Sequence, residues 1–271
     1  MKAKIFQIDC ARDLDGPGIR ALVGFCGCPL NCAYCINKDA LSSNVGEWYT
    51  PESLLKAIEK DDMYFQATGG GVTFGGGEPA LQSEFILRFR EICPSEWTLA
   101  IETSLNVPFK HVKTLVGAID YWYVDIKDMN SEIYERYTGK SNQQVKENLM
   151  FLVAQENRGE ILARVPLIDM YNDFGDQLKS FEELELLHIK YETLTYTKNK
   201  RIYFNEKKLR GALAFPTDVL KNTDSEELKK KQQQLADELS KLGDIANIKP
   251  ETGAFEDLTK DDINDAWTIW D

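Results

Sequence analysis

The sequence predicts an α/β fold: a partial (β/α)6 TIM-like barrel with a C-terminal extension. The first observation is that strand and helix patterns alternate between residue 19 and about residue 197, where about six units can be counted. Such alternation predicts parallel strands joined by crossover helices. The second observation is length, because a closed barrel has eight units and usually needs about 250 residues. Six units in a shorter stretch therefore predict a barrel that stays open.

Composition indicates a globular protein and disfavours some classes of partner. Of the 271 residues, 43% are hydrophobic, which is enough for a full core. No apolar run approaches the ~18 residues of a membrane span, and the N-terminal stretch MKAKIFQIDC lacks the apolar region of a signal peptide. We therefore expect a cytoplasmic protein with no membrane partner. A net charge of -12 disfavours a nucleic-acid partner, because phosphate contacts need an excess of basic residues.

The first part of the chain is predicted to lead into a loop rich in cysteine. Residues 4–8 have the pattern of a short strand, residues 13–18 of a turn with two glycines and a proline, and residues 19–25 of a buried strand. Thr50 and Pro51 then predict the cap and first residue of a helix. The later elements are predicted as a short strand between the glycines of 69–77, helices over 82–93, 109–116 and 141–155, and strands over 98–103, 121–126, 160–167 and, with a weaker pattern, 184–187.

The last part of the chain has a different character. Residues 201–204 have the pattern of a strand, and residues 225–242 predict a polar helix with a thin apolar stripe. Residues 251–271 carry seven acidic residues and one lysine. We therefore divide the chain into a barrel domain, residues 1–197, and a C-terminal extension, residues 198–271. We expect the extension to pack on the barrel rather than to form a free domain, and its sequence does not indicate a function.

Three cysteines with the spacing C-x3-C-x2-C lie in one loop of eight residues, at Cys28, Cys32 and Cys35. Soft thiolates suit iron–sulfur clusters and zinc. Three cysteines leave one iron of a [4Fe–4S] cluster without a protein ligand, so that iron can bind a substrate. A structural zinc site normally has four ligands, and neither His111 nor His188 lies near the loop in sequence. The pattern favours the cluster over zinc and over three reduced thiols.

Polar and small residues stand at the ends of three predicted strands. They are Gly75, Gly76, Gly77 and Glu78 after one strand, Glu102 at the end of the next, and Asp125 and Lys127 at the one after that. Glycines allow backbone groups to approach a ligand closely, and Glu78 offers an acceptor for a cationic group. Taken singly, a tight turn, a helix cap or a solvent-facing carboxylate explains each of them. Because parallel strands gather their working groups at their carboxyl ends, the set favours one shared site around the cysteine loop.

These motifs together resemble the radical S-adenosylmethionine (SAM) superfamily. The resemblance is narrower than the superfamily, because three segments look like those of the glycyl-radical-enzyme activating enzymes, of the pyruvate formate-lyase activase type. The segments are Asp15-Gly-Pro-Gly-Ile-Arg20, Gly27-Cys-Pro-Leu-Asn-Cys-Ala-Tyr-Cys35 and Gly69-Gly-Gly-Val-Thr-Phe-Gly-Gly-Gly-Glu-Pro79. The segment Tyr123-Val-Asp-Ile-Lys127 is similar to the Asp-Leu-Lys strand of that family. The resemblance covers roughly residues 4–190.

The resemblance implies two cofactors and a role for each site residue. A [4Fe–4S] cluster on the three cysteines would leave one iron for the amino and carboxylate groups of SAM. Gly75, Gly76, Gly77 and Glu78 would hold the amino end of SAM, and Lys127 would neutralise its carboxylate. Glu102, Asp125 and Asn37 match positions that surround SAM in the family. Tyr34 stands where an aromatic residue packs near the adenine, although ordinary packing explains it equally well.

The resemblance also implies a reaction and two kinds of partner. An electron delivered through the cluster, from a donor of the flavodoxin or ferredoxin type, would cleave SAM to methionine and a 5′-deoxyadenosyl radical. That radical would remove a Cα hydrogen from one glycine of a partner, a glycyl radical enzyme. Two other functions stay open at this point. One is a radical SAM enzyme with the same core that acts on a ribosomal peptide or a small molecule, and the other is a zinc-binding or non-catalytic interaction protein.

The sequence departs from the family pattern in three places. The family's Leu-Leu-Pro-Tyr-His segment has no true counterpart, and the segment from Leu186 to Lys190, with His188, stands there instead. The stretch from Asp173 to Glu183 is shorter than the helix expected, so we expect the last βα unit to be missing or reduced. The ferredoxin-like insertion of some activases is absent, since no cysteine lies between Cys35 and Gly69. The remaining cysteines, predicted to be structural, are Cys10, Cys26 and Cys93.

Overall fold

The computed structural model describes residues 1–41, 45–196 and 201–204. The chain divides into two units, Met1–Tyr203 and Phe204–Asp271. The predicted helix over 225–242 and the acidic C-terminal segment lie outside the described residues. The division of the chain at residues 197 and 198 therefore stays a prediction. Among the described residues, no helix is long and apolar enough to cross a membrane.

A single open sheet of nine strands forms the centre of the described part, in the order β3-β1-β2-β4-β5-β6-β7-β8-β9. The six strands from β2 to β8 in that order are parallel to their neighbours, whereas β1 pairs antiparallel with β2 and β3. Six parallel strands that do not close confirm the predicted partial barrel. The strands are β1 Ala3–Arg12, β2 Arg20–Phe25, β3 Glu47–Tyr49, β4 Gly71–Gly76, β5 Thr98–Thr103, β6 Tyr121–Asp125, β7 Glu160–Ile168, β8 Lys190–Tyr196 and β9 Arg201–Phe204.

Seven α-helices connect and cover the strands in the described part of the chain. They are α1 Pro51–Ile58, α2 Asp62–Thr68, α3 Ser83–Ile92, α4 Phe109–Leu115, α5 Ser131–Thr138, α6 Gln143–Val153 and α7 Phe174–Leu186. The start predicted for α1 is confirmed: Thr50 caps it, Ser53 completes a capping box, and Pro51 is the first residue. β3, α2 and α5 were not among the elements predicted from periodicity.

Aromatic side chains hold the sheet against the helices that cover it. The ring of Phe25 on β2 packs on Phe74 of β4 at 5.8 Å between centroids, and Phe74 meets the edge of Phe89 on α3 at 5.6 Å. All three rings are fully buried. Burying each side chain contributes roughly 1.5–3 kcal/mol, so these contacts fix β2 and β4 side by side. The two strands lead into the cysteine loop and the glycine run respectively.

Arg20 stands in the interior at the amino end of β2 and is fully buried. Its guanidinium donates to the hydroxyls of Thr73 and Thr98 and to the carbonyls of Pro17, Val72 and Thr98, at 2.7 to 2.9 Å. Burial lowers the pKa of Arg20. Arg20 ends the Asp-Gly-Pro-Gly-Ile-Arg motif, and its bonds tie that motif to β4 and β5. This network lies at the amino ends of the strands, opposite the ends that carry the cysteine loop and the glycine run.

The expectation for the last βα unit is wrong. The predicted strand over 184–187 lies at the end of α7, a helix of 13 residues, and the strand β8 follows at Lys190–Tyr196. The apolar residues there, such as Leu184, face the core from the helix, which explains why they look like a strand pattern. The unit is neither missing nor reduced, because Asp173 caps α7 with a capping box and so allows a full helix in a short segment.

Candidate active site at the carboxyl ends of the strands

The carboxyl ends of the parallel strands meet the cysteine loop around one cavity of about 100 Å³. Strand register brings these ends together, since Phe25 pairs with Gly76, Thr103 with Val124, and Ile168 with Tyr196. The predicted site residues that line the cavity are Cys28, Cys32, Tyr34, Cys35, Asn37, Gly76, Gly77, Glu78, Glu102, Asp125 and Lys127. Gly75 does not line it but lies one residue earlier on β4.

The cysteine loop is anchored on the end of α5. The backbone N–H of Asn31 donates to the carbonyl of Thr138 at 2.9 Å, and that of Ala33 donates to the carbonyl of Tyr137 at 3.0 Å. The last carbonyls of a helix have no partner within the helix, so the loop uses acceptors that α5 leaves open. Gly139 in the left-handed conformation ends α5 at that point. The loop is therefore held by backbone bonds that do not depend on its cysteine side chains.

The thiols of the loop form a donor set that fits an iron–sulfur cluster. Burial raises the pKa of Cys28 to about 12 and also raises the pKa of Cys32. Thiolate ligation at these positions therefore needs positive charge nearby, which iron ions supply. Among the described residues, no three His, Cys, Asp or Glu side chains converge as ligands of a single metal ion. A cluster does not require such convergence, because each cysteine binds a different iron.

The glycine run is required by close packing of β4 against the start of the cysteine loop. The N–H groups of Gly77 and Glu78 donate to the carbonyls of Phe25 and Gly27, at 2.9 and 2.8 Å. A Cβ on Gly77 would overlap the carbonyl oxygen of Gly27, and Gly76 has a φ of 103°, in the region that favours glycine. Asn37 adds a side-chain bond of 3.0 Å to the carbonyl of Gly76. The loop and the glycine strand end are thus fixed to each other.

Glu78 turns into the protein and is 1% exposed. One carboxylate oxygen accepts from the N–H of Ala80 at 3.1 Å and the hydroxyl of Thr103 at 2.6 Å. The other accepts from the N–H and the hydroxyl of Ser104, at 2.9 and 2.6 Å. Burial raises the pKa of Glu78, and the bonds from Ser104 and Thr103 oppose that rise. A carboxylate accepts about four hydrogen bonds, so the protein itself uses the acceptor that the sequence analysis offered to a cationic ligand.

Lys127 presents a buried ammonium group at the end of β6. Its Nζ donates to Asp125 at 2.7 Å and to the hydroxyl of Tyr196 at 3.3 Å. Burial is the largest single influence on the pKa of Lys127 and acts to lower it, but Asp125, Tyr196 and Cys32 together raise the pKa well above its ordinary value. The φ of Lys127 is 62°, a conformation that costs energy for a residue with a Cβ and that is found at functional sites. The group stays a cation at neutral pH.

Glu102 belongs to a chain of ion pairs across the barrel interior. Its carboxylate pairs with the guanidinium of Arg164 on β7, and Arg164 also donates to Glu192 on β8 at 2.9 Å. The guanidinium stacks over the ring of Tyr123 on β6, 4.6 Å from its centroid. A buried arginine shared between two carboxylates fixes the positions of all three groups. Glu102 therefore faces the cavity with one side engaged by Arg164.

Tyr34 belongs to a cluster of four tyrosines at one side of the cavity. Its ring meets those of Tyr137 and Tyr171 edge-on, with centroids 6.3 and 5.8 Å away. Tyr137 in turn contacts Tyr171 at 5.1 Å and stacks on Tyr196 at 6.5 Å. Aromatic pairs of this kind contribute about 0.5–1.5 kcal/mol each. Tyr34 both packs in this cluster and faces the cavity, so the two interpretations from the sequence are compatible.

Several residues of the site were missed by the sequence analysis. Thr103 and Ser104, which hold Glu78, directly follow Glu102 at the end of β5, and two hydroxyls at a strand end were the available signal. Tyr196 escaped notice because its strand was placed too early. The segment that stood in place of the family's Leu-Leu-Pro-Tyr-His does not reach the site, since His188 lies between α7 and β8, before the amino end of that strand. At the carboxyl end of β8 stands Tyr196.

Comparison with known proteins gives a consistent result. The family model of the radical SAM superfamily matches residues 22–173. A (2S)-3-sulfopropanediol dehydratase activating enzyme from Klebsiella oxytoca is 34% identical over 231 residues. The match covers 62% of this chain and 72% of the relative. A pyruvate formate-lyase-activating enzyme from Clostridium pasteurianum is 30% identical over 215 residues, which cover 75% of this chain and 88% of the relative.

Among solved structures, SuiB of Streptococcus suis bound to the precursor peptide SuiA is similar, with a TM-score of 0.52 and 12% identity. The match covers 79% of this chain and 44% of SuiB. At that identity the likeness concerns the fold alone. It agrees with the open, mostly parallel sheet described above.

Proposed function

The chain belongs to the radical SAM superfamily and, within it, to the activating enzymes of glycyl radical enzymes, and from that premise we propose that it generates a glycyl radical on a partner enzyme. The observation that carries the proposal is the cavity where the three-cysteine loop, the glycine strand end and the Lys127 ammonium meet. Three parts are needed to hold a metal cluster and SAM, which is the sulfonium of an amino acid. They are a cysteine loop for the cluster, backbone groups that approach the ligand closely, and a buried cation for its carboxylate.

The cofactors of this family are a [4Fe–4S] cluster and SAM, and the proposal assigns residues to each. Cys28, Cys32 and Cys35 would bind three irons, and the fourth would be open to SAM. When bound and reduced, this pair supplies a 5′-deoxyadenosyl radical by cleavage of a carbon–sulfur bond of SAM. The remaining work belongs to the protein, which must orient SAM and keep water and other hydrogen donors away.

The orienting groups are assigned from the charges and backbone contacts of the cavity. Lys127 would pair with the SAM carboxylate, because it is a buried cation with a raised pKa. The backbone of Gly75, Gly76 and Gly77 would approach the amino end of SAM, and Glu78 would support that strand end through its bonds to Thr103 and Ser104. Glu102, Asp125 and Asn37 would surround the methionine part, and Tyr34 would pack against the adenine.

The size of the cavity supports a SAM position that extends toward the surface. Its volume of about 100 Å³ is smaller than the roughly 300–1,000 Å³ of typical small-molecule pockets. In this proposal the methionine part occupies the cavity, and the adenosine lies toward Tyr34 and the exposed Ile36, both of which line its rim. Ile36 is 60% exposed, so the mouth offers apolar surface to the adenosine and to the partner.

The partners follow from the family. We infer that the protein substrate is a glycyl radical enzyme, and that the electron comes from a flavodoxin or ferredoxin-type donor in the cytoplasm.

The proposal is tested with anaerobically reconstituted protein, SAM, a strong reductant and a candidate glycyl radical enzyme whose gene lies beside this one. We expect 5′-deoxyadenosine and, in the partner, the electron paramagnetic resonance signal of a glycine-centred radical. Formation of 5′-deoxyadenosine without that signal would favour the same core acting on a ribosomal peptide or small molecule. One zinc per chain with no iron and no SAM cleavage would contradict the radical chemistry itself.

A further inference from the structure

Tyr196 ends β8 at the cavity and makes contacts that neither the motifs nor the family assignment account for. The residue is 5% exposed. Its hydroxyl lies 3.3 Å from Nζ of Lys127 and 3.3 Å from Oδ2 of Asp125. Nζ of Lys127 also lies 5.0 Å from the centroid of its ring. Tyr196 therefore contacts the ammonium group by both its polar and its aromatic parts.

The three groups form a closed triangle of hydrogen bonds. Nζ donates to Asp125 and to the hydroxyl oxygen of Tyr196, and that hydroxyl donates its own proton to Asp125. An ammonium group has three donors. The contacts with Asp125 and Tyr196 use two of these donors. Within the described part of the chain, the third N–H is left for a ligand in the cavity. The direction of that third N–H is set once the other two are fixed.

Tyr196 is needed because the lysine side chain does not hold its own position. A lysine ammonium sits on four flexible carbons, and Asp125 is only two residues away from Lys127, so their pair alone can form in several arrangements. Tyr196 reaches the same ammonium from a different strand. Its own ring is fixed by stacking on Tyr137, with centroids 6.5 Å apart, and by packing in a buried cluster with Ile168 and Leu194.

We propose that Tyr196 is a positioning residue that holds the Lys127 ammonium with one N–H directed at the carboxylate of SAM. The inference rests on the proposed function, and it adds a residue from the last parallel strand to the site. By donating to Asp125, the hydroxyl also shares the negative charge that would otherwise draw the ammonium away from the ligand. Tyr196 thus selects a ligand that carries a carboxylate at this point, while Lys127 makes the contact.

The test compares two ligands on protein that holds its oxidised cluster, with no reductant, so that binding is measured without turnover. The ligands are SAM and decarboxylated SAM, which lacks only the carboxylate. In Tyr196→Phe we expect SAM to bind about tenfold more weakly, because a hydrogen bond to a charged group is lost. Decarboxylated SAM should bind within about twofold of its wild-type affinity. Tyr191→Phe is the matched control, because Tyr191 lies on the same strand as Tyr196 but its hydroxyl bonds Glu185 on α7. Both affinities should stay unchanged in that variant.

A second measurement separates positioning from a structural effect. In a Lys127→Met background, Tyr196→Phe should cause no further loss of SAM affinity, since it acts through the ammonium. Equal weakening of both ligands in Tyr196→Phe, additive losses in the double variant, or unchanged SAM affinity in Tyr196→Phe would each overturn the inference. If wild-type protein with a cluster does not bind SAM at all, the proposed function fails together with it.

Discussion

Glu78 serves the protein rather than a ligand, because its carboxylate accepts four hydrogen bonds inside the chain. The sequence predicts the place of Glu78 at the cavity, but it predicts a contact with a ligand in place of the contacts with Ala80, Thr103 and Ser104. Its position after a glycine run was readable, whereas its partners Thr103 and Ser104 come from another strand end and depend on the strand register. Residue type predicts what a side chain can bond, and the fold decides with whom.

We predict that Glu78→Gln lowers the free energy of unfolding by about 1–3 kcal/mol. Whichever way the amide is turned, its NH2 group faces either the N–H of Ala80 or that of Ser104 and leaves a buried donor without an acceptor. Chemical denaturation under anaerobic conditions measures the change. Glu84→Gln, on an exposed position of α3, should change stability by less than about 0.5 kcal/mol. A Glu78→Gln variant as stable as Glu84→Gln would mean that the bonds of Glu78 to Ala80, Thr103 and Ser104 do not stabilise the fold.

We predict that Cys32→Ala loses the cluster and all SAM cleavage. In the proposed site each cysteine would bind one iron, and a loop with two cysteines would leave the cluster open to solvent and to loss of iron. Iron analysis after anaerobic reconstitution should fall from about four irons per chain to a small fraction of that. Cys26→Ala is the control, because Cys26 bonds the carbonyl of Val45 and lies outside the cavity. Retained SAM cleavage in Cys32→Ala would show that the ligands are wrongly assigned.

At the scale of elements, β4 and the cysteine loop depend on a contact between two glycines. We predict that Gly77→Ala lowers both the unfolding free energy, by about 1–3 kcal/mol or more, and the amount of cluster incorporated, because the new Cβ would overlap the backbone of Gly27. Denaturation and iron analysis measure the two effects.

Gly139→Ala is the matched control for that contact. Gly139 also has a positive φ, of 76°, but nothing lies within 4 Å of its added Cβ. It should cost about 1 kcal/mol and leave cluster incorporation unchanged. Similar iron loss in both variants would point to general destabilisation rather than to the contact between strand and loop.

α3 and α4 are joined by a bond between Ser83 and Nδ1 of His111, at 2.8 Å. Burial, with the charge of Lys110, lowers the pKa of His111 below its ordinary 6.5. The folded-state pKa is depressed, so this group stabilises the fold above pH 6.5, and the contribution is lost as the pH falls through the folded value. The chain has two histidines, so proton NMR can follow each. We predict a His111 midpoint below 6.5, and a midpoint above 6.5 would contradict this packing.

The spacing of apolar residues predicts most helices and strands. It fails where a short apolar run fits both a helix and a strand. The strand β5, Thr98–Thr103, was predicted at its observed bounds, because it is short, buried and flanked by clear turns. The pattern of residues 184–187 predicts a strand, because four consecutive residues do not distinguish the buried side of a helix from a buried strand. Successive side chains of the strand β8 face the core and a polar interior that includes Glu192. The strand therefore lacks a continuous run of apolar residues.

At the scale of the whole molecule, the open sheet explains why the site lies where it does. The bonds of Arg20 tie the strands together at their amino ends, and the cysteine loop on α5 covers the carboxyl ends. That Cys28, Cys32 and Cys35 line one cavity could be predicted from spacing alone, because they lie within eight residues of one loop. The contacts of Tyr196 could not, because they join residues 69 and 71 positions apart in sequence.

In the proposed function, the radical generated by this chain removes a hydrogen atom from the Cα of a glycine in a partner protein. The most direct measurement uses a candidate glycyl radical enzyme in which glycine carries deuterium at Cα, incubated anaerobically with the reduced activating enzyme and SAM. Mass spectrometry of the 5′-deoxyadenosine should show one added deuterium, formed together with the glycyl radical signal. The partner used should be one that another activating enzyme converts to its radical form. With such a partner, abundant 5′-deoxyadenosine without deuterium would contradict the proposed hydrogen removal from glycine.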